Sequence, residues 1–167
     1  MVKETALALV DSALLKPIGT TSLPALLAFN AEEKFQLGTT DGVKIWGVGP
    51  NFKTHFLDKK EKDAPAVELR IHQLRRSSKD PSIIKALGGI KIVETTLGQM
   101  WEMVKKQGTG QTGDLLVNGW ANIFYIKDDD GILWAVRCRW RGSGWGVEAR
   151  SVSDPDDWTA GSRVFSR

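Results

Sequence analysis

Cysteine occurs once in the chain, at Cys138. No internal disulfide can form, and a lone thiol set among apolar residues reads as buried and reduced, which leads to the expectation of a cytoplasmic protein. Histidine is nearly as scarce, at His55 and His72 only. A Cys–His nucleophile would need one of them to reach Cys138. Strand alternation instead puts Cys138 on a tryptophan-rich face and points His72 away from its own strand's apolar face. No apolar run reaches membrane-spanning length. The opening MVKETALALVDSALLKP is interrupted by Asp11 and meets no small-residue cleavage site, so it does not read as a secretory leader.

Charge of one sign is also lacking. There are 23 Lys and Arg against 20 Asp and Glu, a net charge of +3. That excess is weak and dispersed, which disfavours a nucleic-acid binder. The glycine-rich loop 108–114 follows a helical stretch and precedes a strand, whereas both the P-loop and the dinucleotide motif need a strand before and a helix after. The acidic clusters Asp128, Asp129, Asp130 and Asp154, Asp156, Asp157 lack the twelve-residue calcium loop with its closing Glu. They read as turn residues, and no cofactor or metal is expected.

What is present is a well-specified hairpin. Along 134–141, Trp134, Val136, Cys138 and Trp140 take one face and Arg137, Arg139 and Arg141 the other. A tight turn at Gly142-Ser143 sets Trp140 against Trp145, Cys138 against Val147, Arg137 against Glu148 and Arg139 against Gly146. A one-residue slip would put arginines against Trp145 and Val147. The preceding strand, 120–127, joins through Asp128-Asp129-Asp130-Gly131, read in preference as a bulged three-residue loop that places Phe124 and Ile126 with Val136 and Trp134; a two-residue Asp-Gly turn would place Ile123 and Tyr125 there instead.

Hydrophobic residues at 41% and charged residues at 26% suit one globular domain of 167 residues. Helices are expected over 3–15 and 23–29, giving a helical segment 1–30 ahead of a sheet–helix body 31–167. In the body, strands are expected at 34–37, 43–48 and 67–74. Helices follow at 51–57, 81–87 and 97–107, the last opened by a capping box at Thr96 and Gln99. The run 90–93 and residues 164–165 read as a short strand and a final edge strand. The fold class expected is α+β: an antiparallel sheet ending in a three-stranded meander, with helices on one face.

No decisive catalytic motif emerges, and the leading expectation is a non-catalytic binding domain for a small ligand or a protein partner. Its site would use the arginine face, with Arg137, Arg139, Arg150 and Tyr125, or a pocket lined by Trp120 and Trp46. Two alternatives stand beside it. One is a small enzyme with His72, Glu68 and Arg70 as an acid–base group beside a pocket floored by Trp46. The other is a structural homo-oligomer paired through the Ala/Leu-rich N-terminal segment.

Overall fold

The computed structural model describes residues 11–167. Its elements in chain order are β1 (Leu15–Leu23), β2 (Phe29–Asn30), α1 (Ala31–Lys34), β3 (Gly38–Thr40), β4 (Val43–Val48), α2 (Pro50–His55), β5 (Lys60–Glu61), β6 (Val67–Leu74), α3 (Asp80–Leu87), α4 (Ile90–Val93), β7 (Glu94–Thr95), α5 (Leu97–Lys105), β8 (Asn122–Lys127), β9 (Leu133–Trp140), β10 (Trp145–Ser151) and β11 (Arg163–Ser166). No helix among the described residues is long and apolar enough to cross a membrane.

The β8–β9–β10 segment pairs as the side-chain pattern requires. Trp140 faces Trp145, Cys138 faces Val147, and Phe124 faces Val136. Gly142 turns the hairpin at a φ of 86°, a left-handed conformation that a glycine adopts without steric cost. The sheet around this segment corrects the expected class. It has nine strands in the order β1-β6-β11-β8-β9-β10-β4-β3, with β7 beside β8, and a second sheet pairs β2 with β5. The large sheet is mixed: β10 runs parallel to β4, and β8 runs parallel to both β11 and β7.

Helices cover both faces rather than one. On one side α2 and α5 bring Phe52, Phe56, Met100 and Trp101 against Phe124, Val136, Trp145 and Phe165. On the other, α3 and α4 bring Ile83, Leu87 and Val93 against Ile123, Tyr125, Ala135 and Val164. This double covering explains why the first five residues of β8, NIFYI, are all buried. Strands of that kind read as continuous apolar runs.

Several local expectations are corrected by the same architecture. The stretch 23–29 is extended: β1 runs to Leu23, Leu26 bridges Ala64, and β2 begins at Phe29. Pro17 sits inside β1, where a register shift between Pro17 and Gly19 and the strand's place at the sheet edge accommodate its missing N–H. Residues 31–34 form a helix, capped by the Asn30 side chain, and the strand follows at Gly38–Thr40. The run 90–93 is a helical turn. β11 is central, inserted between β6 and β8. The helix expected over 3–15 begins in residues outside those described, and Leu15 already belongs to β1. The capping box at Thr96 and Gln99 is present in both its hydrogen bonds.

Candidate functional site

Along the face carrying α3, the sheet is covered at one end and open at the other. Under α3, Asp80 is fully buried and gathers three donors. The Tyr125 hydroxyl donates to it at 2.7 Å, the Trp158 indole N–H at 2.6 Å and the Arg150 guanidinium at 3.3 Å. Burial pushes the Asp80 carboxyl above its usual range, against the pull of these donors. Burial and then the Asp80 charge push the Tyr125 hydroxyl up as well. Arg150 lies 3.7 Å over the Trp158 ring, so its charge is held by a carboxylate and a π-face together.

The cluster sits at the first residue of α3, and away from it Arg137 and Arg139 on β9, with Arg141 just after the strand, line an open cavity. The carboxylate that strand register assigns to Arg137 is engaged elsewhere. Glu148 Oε1 accepts from the Phe52 amide at the start of α2 (2.9 Å) and from the Ala149 amide (2.8 Å). Gly49 makes this reach feasible, because a Cβ there would fall 2.0 Å from the Glu148 carboxylate. Among the described residues, the one arginine paired with a carboxylate is Arg150. The Nε atoms of Arg139 and Arg150 are both buried without a hydrogen-bond partner. Burial lowers the pKa of Arg137 and Arg139, and so do the neighbouring guanidinium charges, while the Glu148 charge opposes this at Arg137; both stay protonated at neutral pH.

Two cavities share Arg137 and Arg139 as a common wall. One, of about 240 Å³, extends toward Trp46 and Gly47 over Gly146. The other, of about 510 Å³, extends toward Trp120, Asn118 and Thr159. Trp46 is 54% exposed and Trp120 42%, unusual for the largest apolar side chain. Arg141 lies 4.7 Å over the Trp46 ring. The arrangement offers guanidinium donors in excess of the one carboxylate in the smaller cavity, Glu148, and indole faces for planar groups.

Of the residues singled out from sequence, the structure thus brings together Arg137, Arg139, Arg150, Trp120 and Trp46. Tyr125 is excluded from the open face, since it is fully buried and bonded to Asp80. His72 is excluded too. It lies on β6, five strand positions from Trp46 on β4, in a separate cavity of about 310 Å³ with Ser12, Thr20 and Arg70. Glu68 is exposed on β6, so His72, Glu68 and Arg70 gather no pocket floored by Trp46. Burial, then the Arg70 charge, depress His72 to a pKa of about 4.

Sequence reasoning places Trp158 back on the sheet, where it is buried, and Asp80 at the start of a helix, but gives neither a part in the site, although together they decide the fate of Arg150. Asp80 reads as a helix cap, but Lys79 occupies the cap position and the carboxylate turns inward. Gly146 opposite Arg139 was the legible sign of the open floor. The glycine-rich loop 108–114 is a packed connector, pinned by the Gln107 amide, which bonds the Gln111 and Leu115 carbonyls and the Leu115 N–H. Asp128 is bonded by the amides of Asp130 and Ile132 and by the Trp134 indole, which explains it as a turn residue. Cys138 is buried, and its thiol is pushed well above its usual pKa. Comparison with known protein families, curated proteins and solved structures finds no match for this chain.

Proposed function

We propose that the chain is a non-catalytic binding domain that takes an anionic ligand with a planar part on the open face of β9. The observation that carries this reading is the pair Arg137 and Arg139. Both are partly buried, neither is in a salt bridge among the described residues although Glu148 stands opposite Arg137, and together they form the wall between two cavities. Leaving desolvated like charges side by side costs stability, and an anion relieves that cost by supplying the missing counter-charge. Arg150 supports the site from the side through Asp80, and Trp46 and Trp120 supply flat apolar surface at its two ends.

The test is thermal unfolding in the presence of inorganic pyrophosphate, adenosine monophosphate and a neutral nucleoside. A ligand that binds only the folded state raises Tm by mass action. Pyrophosphate and the nucleotide are expected to raise Tm and the neutral nucleoside to do so far less, and Arg139→Ala is expected to remove the shift. The reading is lost if no anion shifts Tm, or if Arg139→Ala shifts as the wild type does.

A further inference from the structure

We infer that the two cavities form one continuous site for single-stranded nucleic acid, with successive bases on Trp120 and Trp46 and the connecting phosphates on Arg137 and Arg139. This rests on the anion-binding reading above and specifies its ligand. Strand register lays out the path. Trp120 stands just before β8, whose first residue Asn122 faces Cys138 on β9. Arg139 on β9 faces Gly146 on β10, and Gly146 faces Gly47 on β4, next to Trp46. The two exposed indoles therefore flank Arg139 across three inter-strand steps, about 14 Å at the usual sheet spacing. Sandwiching one ring between two indoles needs them on the order of 9 Å apart, so this spacing suits two rings with charge between them.

The floor between the rings is open. Gly146 carries no side chain there, and a Cβ at that position would meet Arg141 Cγ at 3.3 Å and Trp46 Cε3 at 3.6 Å. Arg141 lies over one face of the Trp46 ring, so a base would stack on the opposite face with that positive charge behind the ring. Lys44 stands two residues before Trp46 and so faces the same side. A basic groove that follows a backbone, set with aromatic faces that accept any base, is the pattern of sequence-tolerant single-strand binding. Two acidic residues line the cavities, Glu148 in one and Asp157 in the other, and each is engaged by another partner. Glu148 bonds α2, Asp80 bonds Arg150, and Asp157 pairs with Lys79.

The experiment is fluorescence anisotropy with a fluorescein-labelled oligothymidylate of about a dozen nucleotides, a length within the span that small single-strand-binding folds occupy. Unlabelled duplex, thymidine monophosphate and pyrophosphate serve as competitors. The strand is expected to bind, to weaken as salt rises, and to be displaced less well by duplex or by the mononucleotide. Trp120→Ala and Trp46→Ala should each weaken strand binding by roughly 5- to 150-fold, the equivalent of 1–3 kcal/mol for a stacked base, while leaving pyrophosphate binding unchanged. Gly146→Val, which fills the floor without altering charge, should weaken the strand more than pyrophosphate; circular dichroism confirms that each variant is folded. Binding of the strand that ignores both tryptophans, or duplex that competes equally, overturns the inference. If pyrophosphate binds through Arg139 and the strand does not, the inference fails and the anion-binding reading survives. If neither anion binds, both fail. Displacement by the mononucleotide as strong as by the strand would leave a one-base site and overturn the two-ring path.

Discussion

Arg150 and Arg139 stand on adjacent strands and share one face of the sheet, yet the fold treats them in opposite ways. Arg150 lies at the covered end, where α3 delivers Asp80 and the C-terminal loop delivers Trp158, and its guanidinium is closed off by both. Arg139 lies at the open end, where its cross-strand neighbour is a glycine and no carboxylate among the described residues pairs with it, while the Nε of both arginines is without a partner. The same residue type thus serves as internal structure in one half and as unfilled binding capacity in the other. What separates them is whether a carboxylate was carried in by a covering element. This comparison predicts that removing charge from the two ends has opposite consequences for stability.

The largest effect is expected at the covered end. Asp80→Ala removes the shared acceptor of Tyr125, Trp158 and Arg150 and leaves a partly buried guanidinium without its carboxylate. Breaking a buried pair from one side typically costs about 3–5 kcal/mol. Urea unfolding should show this as a lower midpoint with an unchanged slope. A loss below about 1 kcal/mol, the scale of an ordinary solvated pair, would mean that Asp80 does not organise this end and that the contrast with Arg139 is false.

A smaller effect is expected at His72, buried on the same face of β6 with its Nδ1 unpartnered. Its pKa is depressed from an ordinary value of 6.5 to about 4, first by burial and then by the Arg70 charge. The charged group that shares its cavity is Arg70 on its own strand; Lys16 on β1 and Arg163 on β11 stand opposite Gln73, on the other face by strand alternation. The unfolded chain therefore binds a proton between these two values and the folded chain does not. Stability from this group is complete above pH 6.5 and is lost as pH falls toward 4, to the order of 2–3 kcal/mol at about 1.4 kcal/mol per pH unit. His72→Gln should flatten that part of the stability–pH curve. A curve of unchanged slope in the variant would assign the loss to other groups.

Pairing is legible at short range where side-chain alternation and turn chemistry act together. Trp140 against Trp145 and Phe124 against Val136 follow from period-two patterning and from the glycines at the turns. The two-helix-layer fold was not legible, because it depends on long-range pairings that leave no local mark. β11 is only RVFS, and nothing in four residues distinguishes an edge strand from one inserted in parallel between β6 and β8. The same holds for the site. Arg137, Arg139, Trp46 and Trp120 were identifiable as unassigned polar and aromatic groups. Whether Tyr125 and His72 joined them depended on where α3 and the strand order placed them. His72 reads as solvent-facing because it alternates with Leu69 and Ile71, and that rule fails when both faces of a sheet are covered.

The smallest stability change, and the one that sharpens the comparison most, is expected at Arg139. Arg139→Gln keeps much of the side-chain stem and removes a charge that sits beside Arg137 and Arg141. Like charges in partial burial repel, so the variant should be as stable as the wild type or more stable by up to about 0.5 kcal/mol. Sodium chloride supplies an independent measure, because it screens this repulsion over a Debye length of about 8–10 Å at physiological ionic strength. Wild-type Tm should therefore rise with modest salt, and the rise should shrink in Arg139→Gln. Asp80→Ala should keep it, since the Arg137–Arg139 repulsion is untouched there. If Arg139→Gln instead loses stability on the scale of Asp80→Ala, the open-face arginine is structural after all, and the site it was assigned to has no unfilled charge to offer.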